Sequence, residues 1–214
     1  MRGTPRETST LLNMVDGVFA VAITLVPASL PNELPAGGAR FVLTTLSIIL
    51  IAATMLLLWH KIRNLVHLNN KLSPSEMVLL GAILTVVVMI PKSAYISIHF
   101  GGNQGSFWLW SDSQWVNFQY QLLFLLVDSA AFLLSIRTLR SSAGQAYPRP
   151  IHRWVLGVEV LGLCLFAALF LAENLFTEIN GIFVFLAPAV LFMEELLCTL
   201  RLKQFNQTHP ARPS

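Results

Sequence analysis

Charged side chains are scarce in this sequence. Asp, Glu, Lys and Arg make up 12% of its 214 residues, whereas hydrophobic residues make up 55%. A soluble domain carries about 25% charged residues, and the mean hydropathy here is +0.65. This shortage of charge excludes a soluble globular domain and indicates an integral membrane protein. The net charge of +3 does not indicate nucleic-acid binding, because the basic residues are spread along the chain.

Residues that build catalytic and metal sites are also few. The two cysteines, Cys164 and Cys198, lie inside apolar runs, and the five histidines are scattered without ligand spacing. The sequence contains no His-Glu-x-x-His pair, no Gly-rich phosphate loop and no Gly-x-Ser-x-Gly turn. We therefore predict a protein that is not an enzyme and that carries no metal or other cofactor.

What the sequence does contain is a series of long apolar segments. A bilayer-spanning helix needs about 20 apolar residues. Six segments meet that requirement approximately, at residues 11–30, 41–59, 76–98, 116–136, 154–171 and 179–200. We predict an all-α integral membrane protein with six transmembrane helices, forming a single domain over residues 1–204. Residues 205–214 are predicted to form a polar C-terminal tail.

The distribution of Lys and Arg predicts the orientation of these helices, because cytosolic loops are enriched in both residues. Twelve of the 14 Lys and Arg residues fall before the first segment, in a loop at residues 61–75, between the fourth and fifth segments, or after the sixth. Only Arg40 and Lys92 fall on the other side. We predict that both termini are cytosolic, which requires an even number of spans.

The first segment, LLNMVDGVFAVAITLVPASL, is unlike the others because it contains Asp16 beside Gly17. A carboxylate within a transmembrane segment is energetically costly and indicates a functional site. Helical spacing places a set of small or medium-sized residues on one face. These are Gly17, Val21, Thr24 and Ala28, with the bulkier Phe19 and Ile23 opposite. Such a face suits close helix packing or the wall of a narrow, mostly apolar pore.

Other acidic residues also fall within apolar segments. Asp128 lies near the middle of the fourth segment, where it is a candidate titrating group or a carboxylate that bonds to a neighbouring helix. Glu159 lies nearer its membrane interface, and we expect it to have a structural role. We expect Glu194 and Glu195 to be solvated or paired with Arg201.

The run DGVFAVAITLV closely resembles the first-helix signature of the endosomal/lysosomal potassium channel family and its bacterial relatives. The matching residues are Asp16, Gly17, Val18, Phe19, Ala20, Ala22, Ile23, Thr24 and Leu25. The Phe-Ser that precedes Asp-Gly in this family is replaced by Met14 and Val15, and an upstream arginine is replaced by Thr10. The motif is therefore a degenerate one, and the resemblance covers approximately residues 10–98.

The resemblance implies a homotetramer in a bacterial cytoplasmic membrane, with a central pore lined by the first helix of each chain. It further implies a hydrophobic constriction and pore lining formed by Val21, Thr24, Leu25 and Ala28. A threonine hydroxyl can replace part of an ion's hydration shell, and an apolar ring can gate by excluding water. The expected function is conduction of potassium with modest selectivity over sodium. The expected partners are further copies of the chain, the lipid bilayer and monovalent cations, with no nucleic acid.

The resemblance also implies a structural polar cluster that joins the first and second helices. The residues at the corresponding positions here are Asp16, Gly17, Trp59, His60 and Arg63. Because the family's first-helix arginine is absent, we hypothesise that Asp16 pairs with Arg63 instead. Both residues are predicted to lie at the cytosolic ends of their helices, where such a pair can form.

Two alternatives remain open from the sequence. One is a proton-coupled transporter of a small solute or ion that uses Asp128 or Asp16 as its titrating carboxylate. Such a transporter places polar groups from several helices around one site near the midplane, whereas segments two and three are almost purely apolar there. The other alternative is a non-conducting scaffold or assembly factor, which the replaced Phe-Ser and arginine favour.

Overall fold

The apolar segments fold into helices in a computed structural model of the chain. The structure describes residues 5–28, 38–68, 72–100, 112–140, 148–176 and 182–208. Within these ranges lie six helices and no strand: α1 (Pro5–Ala28), α2 (Gly38–His67), α3 (Pro74–Phe100), α4 (Asp112–Arg140), α5 (Arg149–Leu175) and α6 (Ile182–Thr208). The predicted all-α fold with six helices is confirmed.

Local sequence explains where two of the helices begin. At the start of α3, the Ser73 backbone N–H donates to Glu76 Oε2 over 2.6 Å, while the Glu76 N–H lies 3.4 Å from Ser73 Oγ. This reciprocal pair is a capping box, which satisfies donors that the first helical turn cannot. Pro148 and Pro150 flank the start of α5, where a missing N–H removes no helical bond.

The helices pack in a ring whose order differs from the chain order. α1 packs against α2 and α3, α4 packs against α3 and α5, and α6 packs against α5 and α2. The ring therefore runs α1, α2, α6, α5, α4, α3. α2 makes smaller contacts with α3 and α4 as well, so its side chains can reach several neighbouring helices.

Apolar side chains fill the centre of the ring. Aromatic rings from three helices meet there, with Tyr120 and Phe124 from α4, Phe166 from α5 and Phe183 from α6. The centroids of Tyr120 and Phe183 lie 5.9 Å apart in an edge-to-face arrangement, which the ring quadrupoles favour. Large apolar residues also cover the outside, including Val78, Leu171 and Phe192, as expected of a lipid-facing surface.

Four stretches of the described chain are long and apolar enough to cross a membrane: Ile48–His67, Pro74–Ala94, Phe118–Arg137 and Arg149–Leu175. Ser9–Leu25 forms a shorter apolar helical stretch. The chain is thus a multi-pass membrane protein in composition and fold. The orientation of its termini remains a prediction.

The helices extend beyond most of the predicted bounds. One of the two largest differences is in α2, which is predicted to end near residue 59 but continues to His67. The predicted basic loop at residues 61–75 is therefore helical over its first half, and Lys61 is buried within the protein. α6 likewise continues into the predicted polar tail as far as Thr208; residues 209–214 lie outside the described ranges.

Candidate functional site

The first helix presents one face to the protein and leaves another uncovered. Val15, Phe19 and Ala22 are buried against α2 and α3, with Phe19 only 1% exposed. In contrast, Val21 is 55% exposed and Leu25 is 40% exposed. The predicted pore-lining positions Val21, Thr24 and Leu25 thus lie on the uncovered face. The fourth predicted position, Ala28, is the last residue of α1, and its side chain lies outside the described residues.

The Thr24 hydroxyl has a defined orientation on that face. Its Oγ1 donates to the Val21 carbonyl of the same helix over 2.7 Å. Because the hydroxyl proton is engaged with the backbone, the oxygen lone pairs remain available as acceptors. An exposed threonine held in this way offers an oxygen to a cation and does not offer a donor.

Trp59 joins the first and second helices. Its indole Nε1 donates to Asp16 Oδ1 over 2.7 Å, and the Arg63 guanidinium lies 5.1 Å from the centroid of its ring. A cation over an indole ring is attracted to the negative face of its π system. The structure therefore brings together Asp16, Trp59 and Arg63, three of the five residues in the predicted polar cluster.

The structure does not contain the hypothesised direct ion pair between Asp16 and Arg63, because each of them contacts Trp59 instead. In the part of the chain that the structure describes, no salt bridge connects these two residues. The indole of Trp59 is wide enough to contact both, so the carboxylate bonds to its edge while the guanidinium covers its face.

The other two predicted members of the cluster have different surroundings. His60 points to α6, where its Nε2 lies 3.6 Å from Glu195 Oε2, and Asn64 donates to the same oxygen over 2.9 Å. A Cβ added at Gly17 would meet no atom within 4 Å. Gly17 is therefore not required to be small by any contact within the described chain.

A second polar cluster, which we call the Lys61 cluster, lies inside the ring of helices. Lys61 of α2 donates to Asp128 Oδ1 of α4 and, over 2.8 Å, to Glu194 Oε2 of α6. Glu159 Oε2 of α5 lies 3.0 Å from the same Nζ. All four side chains are at most 4% exposed. One ammonium group thus holds carboxylates from three different helices.

Several oxygens of the Lys61 cluster remain without a hydrogen bond. Asp128 Oδ2, Glu159 Oε2 and Glu194 Oε1 are buried and have no donor in hydrogen-bonding geometry. The Glu194 carboxyl packs directly on the backbone of α5, since a Cβ added at Gly162 would lie 1.3 Å from Glu194 Oε1. No group of three or more His, Cys, Asp and Glu side chains among the described residues is suited to hold a metal ion.

The Lys61 cluster changes the sequence-based assignment of two residues. Lys61 was assigned to a cytosolic loop, and Glu194 to solvent or to Arg201, whereas the structural role expected of Glu159 is unchanged. Instead, Arg201 stacks over Trp154, with its guanidinium carbon 5.6 Å from the ring centroid. Only Asp128 was predicted as a candidate titrating group. The sequence did contain a signal for this cluster. Carboxylates inside apolar segments are stabilised by a cation from a neighbouring helix, so their presence indicates a buried basic residue.

Comparisons with known proteins identify the fold. Neither the models of known protein families nor the curated proteins include a match to this sequence. A solved structure does match: the crystal structure of a lysosomal potassium-selective channel TMEM175 homolog from Chamaesiphon minutus. The TM-score is 0.65 at 19% sequence identity, and the match covers 92% of this chain and 98% of that one. The chain therefore has the fold of that channel homologue, which agrees with the resemblance found in its first segment.

Proposed function

We propose that several copies of this chain assemble around an axis and conduct potassium through a central pore lined by α1. The observation that carries the proposal is the uncovered face of α1, with Val21 and Leu25 exposed beside the Thr24 oxygen, on a fold shared with a potassium-selective channel homologue. Rotational symmetry brings identical faces to one axis. The uncovered faces of α1 from several copies can therefore enclose one central pore.

On this proposal Val21 forms the narrow apolar neck, and Thr24 supplies oxygens beside it. A pore of this kind selects without rings of backbone carbonyls, so selectivity for potassium over sodium is modest. Four copies, as the family resemblance implies, is the proposed stoichiometry. The protein is not an enzyme, it acts in a cell membrane with both termini in the cytosol, and its transported species is the cation itself.

The test is a flux assay with purified protein in liposomes, comparing potassium with sodium. Val21→Trp places a large ring in the proposed neck, and we expect it to abolish flux. Because Val21 is 55% exposed, the substitution leaves the protein core intact. The matched control is Val78→Trp, since Val78 on α3 is 75% exposed and is not proposed to face the pore.

The possible results separate the alternatives. Potassium-preferring flux that is lost in Val21→Trp and retained in Val78→Trp supports the proposed pore. If Val21→Trp leaves the flux unchanged, the pore is not lined by α1. Absence of flux from assembled wild-type protein contradicts the channel and favours a transporter or a scaffold.

The Lys61 cluster favours one alternative, a proton-coupled transporter. Polar groups from α2, α4, α5 and α6 converge on one buried site, which is the arrangement expected of a transporter. In that case Asp128→Asn abolishes proton-driven uptake or export in liposomes with an imposed pH gradient. Retention of transport in this variant excludes Asp128 as the coupling carboxylate.

A further inference from the structure

The Lys61 cluster contains more negative than positive charge. Three carboxyl groups contact one ammonium group, so two negative charges are uncompensated when all four groups are ionised. Bulk solvent barely touches these side chains, since each is at most 4% exposed. An ionised carboxylate without a partner is strongly unfavourable in such a site, and a neutral, protonated carboxyl is favoured instead.

The carboxyl groups are also close to one another. Asp128 Oδ1 and Glu194 Oε2 both bond to Lys61 Nζ, and Glu159 Oε2 lies 3.0 Å from it. Like charges held around one atom repel each other strongly in an interior of low dielectric constant. When carboxylates share such a site, one of them takes up a proton.

The remaining charged and titratable groups around the cluster do not supply the missing positive charge. On α6, Glu195 accepts a hydrogen bond from Asn64 and adds a further acid, and Cys198 lies within electrostatic range of Lys61. On α2, His60 faces Glu195 and its side chain is 48% exposed. Within the described chain, Arg63 and Arg201 stack on tryptophans elsewhere.

Carboxyl oxygens without a hydrogen-bond donor indicate where protons can bind in the Lys61 cluster. Asp128 Oδ2 and Glu194 Oε1 are buried acceptors without donors. A protonated carboxyl supplies an O–H donor, so one proton removes a negative charge and also creates the donor that a neighbouring oxygen lacks. Two such protons make the four-residue cluster neutral.

We propose that Glu159 and Glu194, gathered with Asp128 around Lys61, form an intramembrane proton-binding site that holds carboxyl protons at neutral pH. The site joins four helices, so its protons are part of the packing between α2, α4, α5 and α6. This inference does not depend on conduction or transport, and it adds a ligand and a set of residues that the proposed pore does not use.

The site has a definite effect on stability. The unfolded chain exposes its carboxyl groups to water and releases their protons well below neutral pH, whereas the folded chain retains protons in the Lys61 cluster. The native state therefore binds more protons than the unfolded state near neutral pH, and stability falls as pH rises.

Two measurements on the full-length protein test the proposal. Infrared spectroscopy of the purified protein at neutral pH should show the carbonyl stretch of protonated carboxylic acids, shifted in heavy water. The double variant Glu159→Gln/Glu194→Gln leaves Lys61 and Asp128 as a neutral ion pair, so this signal should be lost. In thermal unfolding between about pH 6 and pH 9, the wild type should lose stability while the double variant shows little change.

The matched control is Glu76→Gln, because Glu76 is a buried acid that caps α3 and is not a member of the Lys61 cluster. It should leave both the infrared signal and the pH dependence unchanged. Lys61→Met should increase the signal, since removal of the ammonium group favours a proton on each carboxyl.

Three results overturn the proposal. The first is absence of a protonated carboxyl signal from folded wild-type protein at neutral pH. The second is a signal that persists in the folded double variant, which places the protons elsewhere. The third is a wild-type stability that responds to potassium or sodium concentration and not to pH, which makes a metal cation the occupant of the cluster.

Discussion

At the scale of single residues, Gly162 shows how closely the Lys61 cluster is fitted to the helices around it. The Glu194 carboxyl occupies the space that any larger residue at position 162 would need. Only a residue without a Cβ permits this approach. Gly162 therefore allows a carboxyl group to pack against the backbone of α5. The site depends on the small size of this glycine and not on its backbone flexibility.

We predict that Gly162→Ala displaces Glu194 from Lys61 and destabilises the protein. Overpacking of a tightly filled interior costs about 1–3 kcal/mol, and a displaced buried carboxyl adds to that penalty. The measurement is the free energy of unfolding in detergent or lipid.

Gly157→Ala is the control for this prediction, since it lies on the same helix and a Cβ there meets no atom within 4 Å. It should be neutral, or stabilising by up to about 1 kcal/mol because alanine favours a helix. Equal stability of the two alanine variants would show that Glu194 does not rest on Gly162.

At the scale of helices, α2 connects the first helix to the rest of the ring. Trp59 contacts α1 through Asp16, while Lys61 contacts α4, α5 and α6. Residues two apart lie on nearly opposite sides of a helix with 3.6 residues per turn. One turn of α2 thus holds α1 on one side and the Lys61 cluster on the other.

The contact between α1 and α2 leads to a second prediction. Trp59→Phe retains a ring for Arg63 but removes the donor to Asp16, and we expect it to cost about 1–2 kcal/mol because Asp16 is only partly buried. In double-mutant cycles, Asp16→Ala should couple to Trp59→Phe by about 0.5 kcal/mol or more.

Coupling between Asp16→Ala and Arg63→Gln is the comparison that distinguishes bridging by the indole from a direct ion pair. It should be smaller than the coupling to Trp59, because Arg63 and Asp16 meet only through the ring. A larger coupling to Arg63 than to Trp59 would restore the direct ion pair that the sequence suggested.

The number and type of helices could be predicted from the sequence, because each helix requires an apolar run long enough to span a bilayer. The family resemblance placed Trp59 in one cluster with Asp16, but the lysine that contacts Asp128 could not be predicted. Hydropathy places Lys61 just beyond the apolar run of α2, and nothing local shows that the helix continues and carries this lysine inward. The ring order, which brings α6 beside α2, is a tertiary property that no single segment encodes.

The first helix also shows what sequence spacing can and cannot predict. Helical spacing alone separated the face of Val21 and Thr24 from the face of Phe19, and the structure has Phe19 buried with the other two exposed. Spacing shows which residues share a face. It does not show what covers that face, and the described part of a single chain leaves it uncovered.

At the scale of the whole molecule, the uncovered face of α1 requires an explanation that a single chain does not supply. Gly17, Val21 and Thr24 are small or medium-sized residues that face away from α2 and α3. Helices in membranes associate through small residues, because these let backbones approach closely. A Cβ added at Gly17 meets no atom within 4 Å in the described chain, so on the proposed assembly its small size serves a contact with another copy.

We therefore predict that Gly17→Leu weakens assembly without unfolding the individual chain. The measurement is the mass of the protein in detergent, corrected for bound detergent, alongside its helix content. The wild type should have the mass of several chains, and Gly17→Leu should shift the distribution toward one chain at unchanged helix content. Gly81→Leu is the matched control, because Gly81 lies on α3 and a Cβ added there also meets no atom within 4 Å. If wild type and both variants share one mass, Gly17 has no role in assembly; if that mass is a single chain, a pore between copies has no physical basis and the Lys61 cluster becomes the candidate transport site.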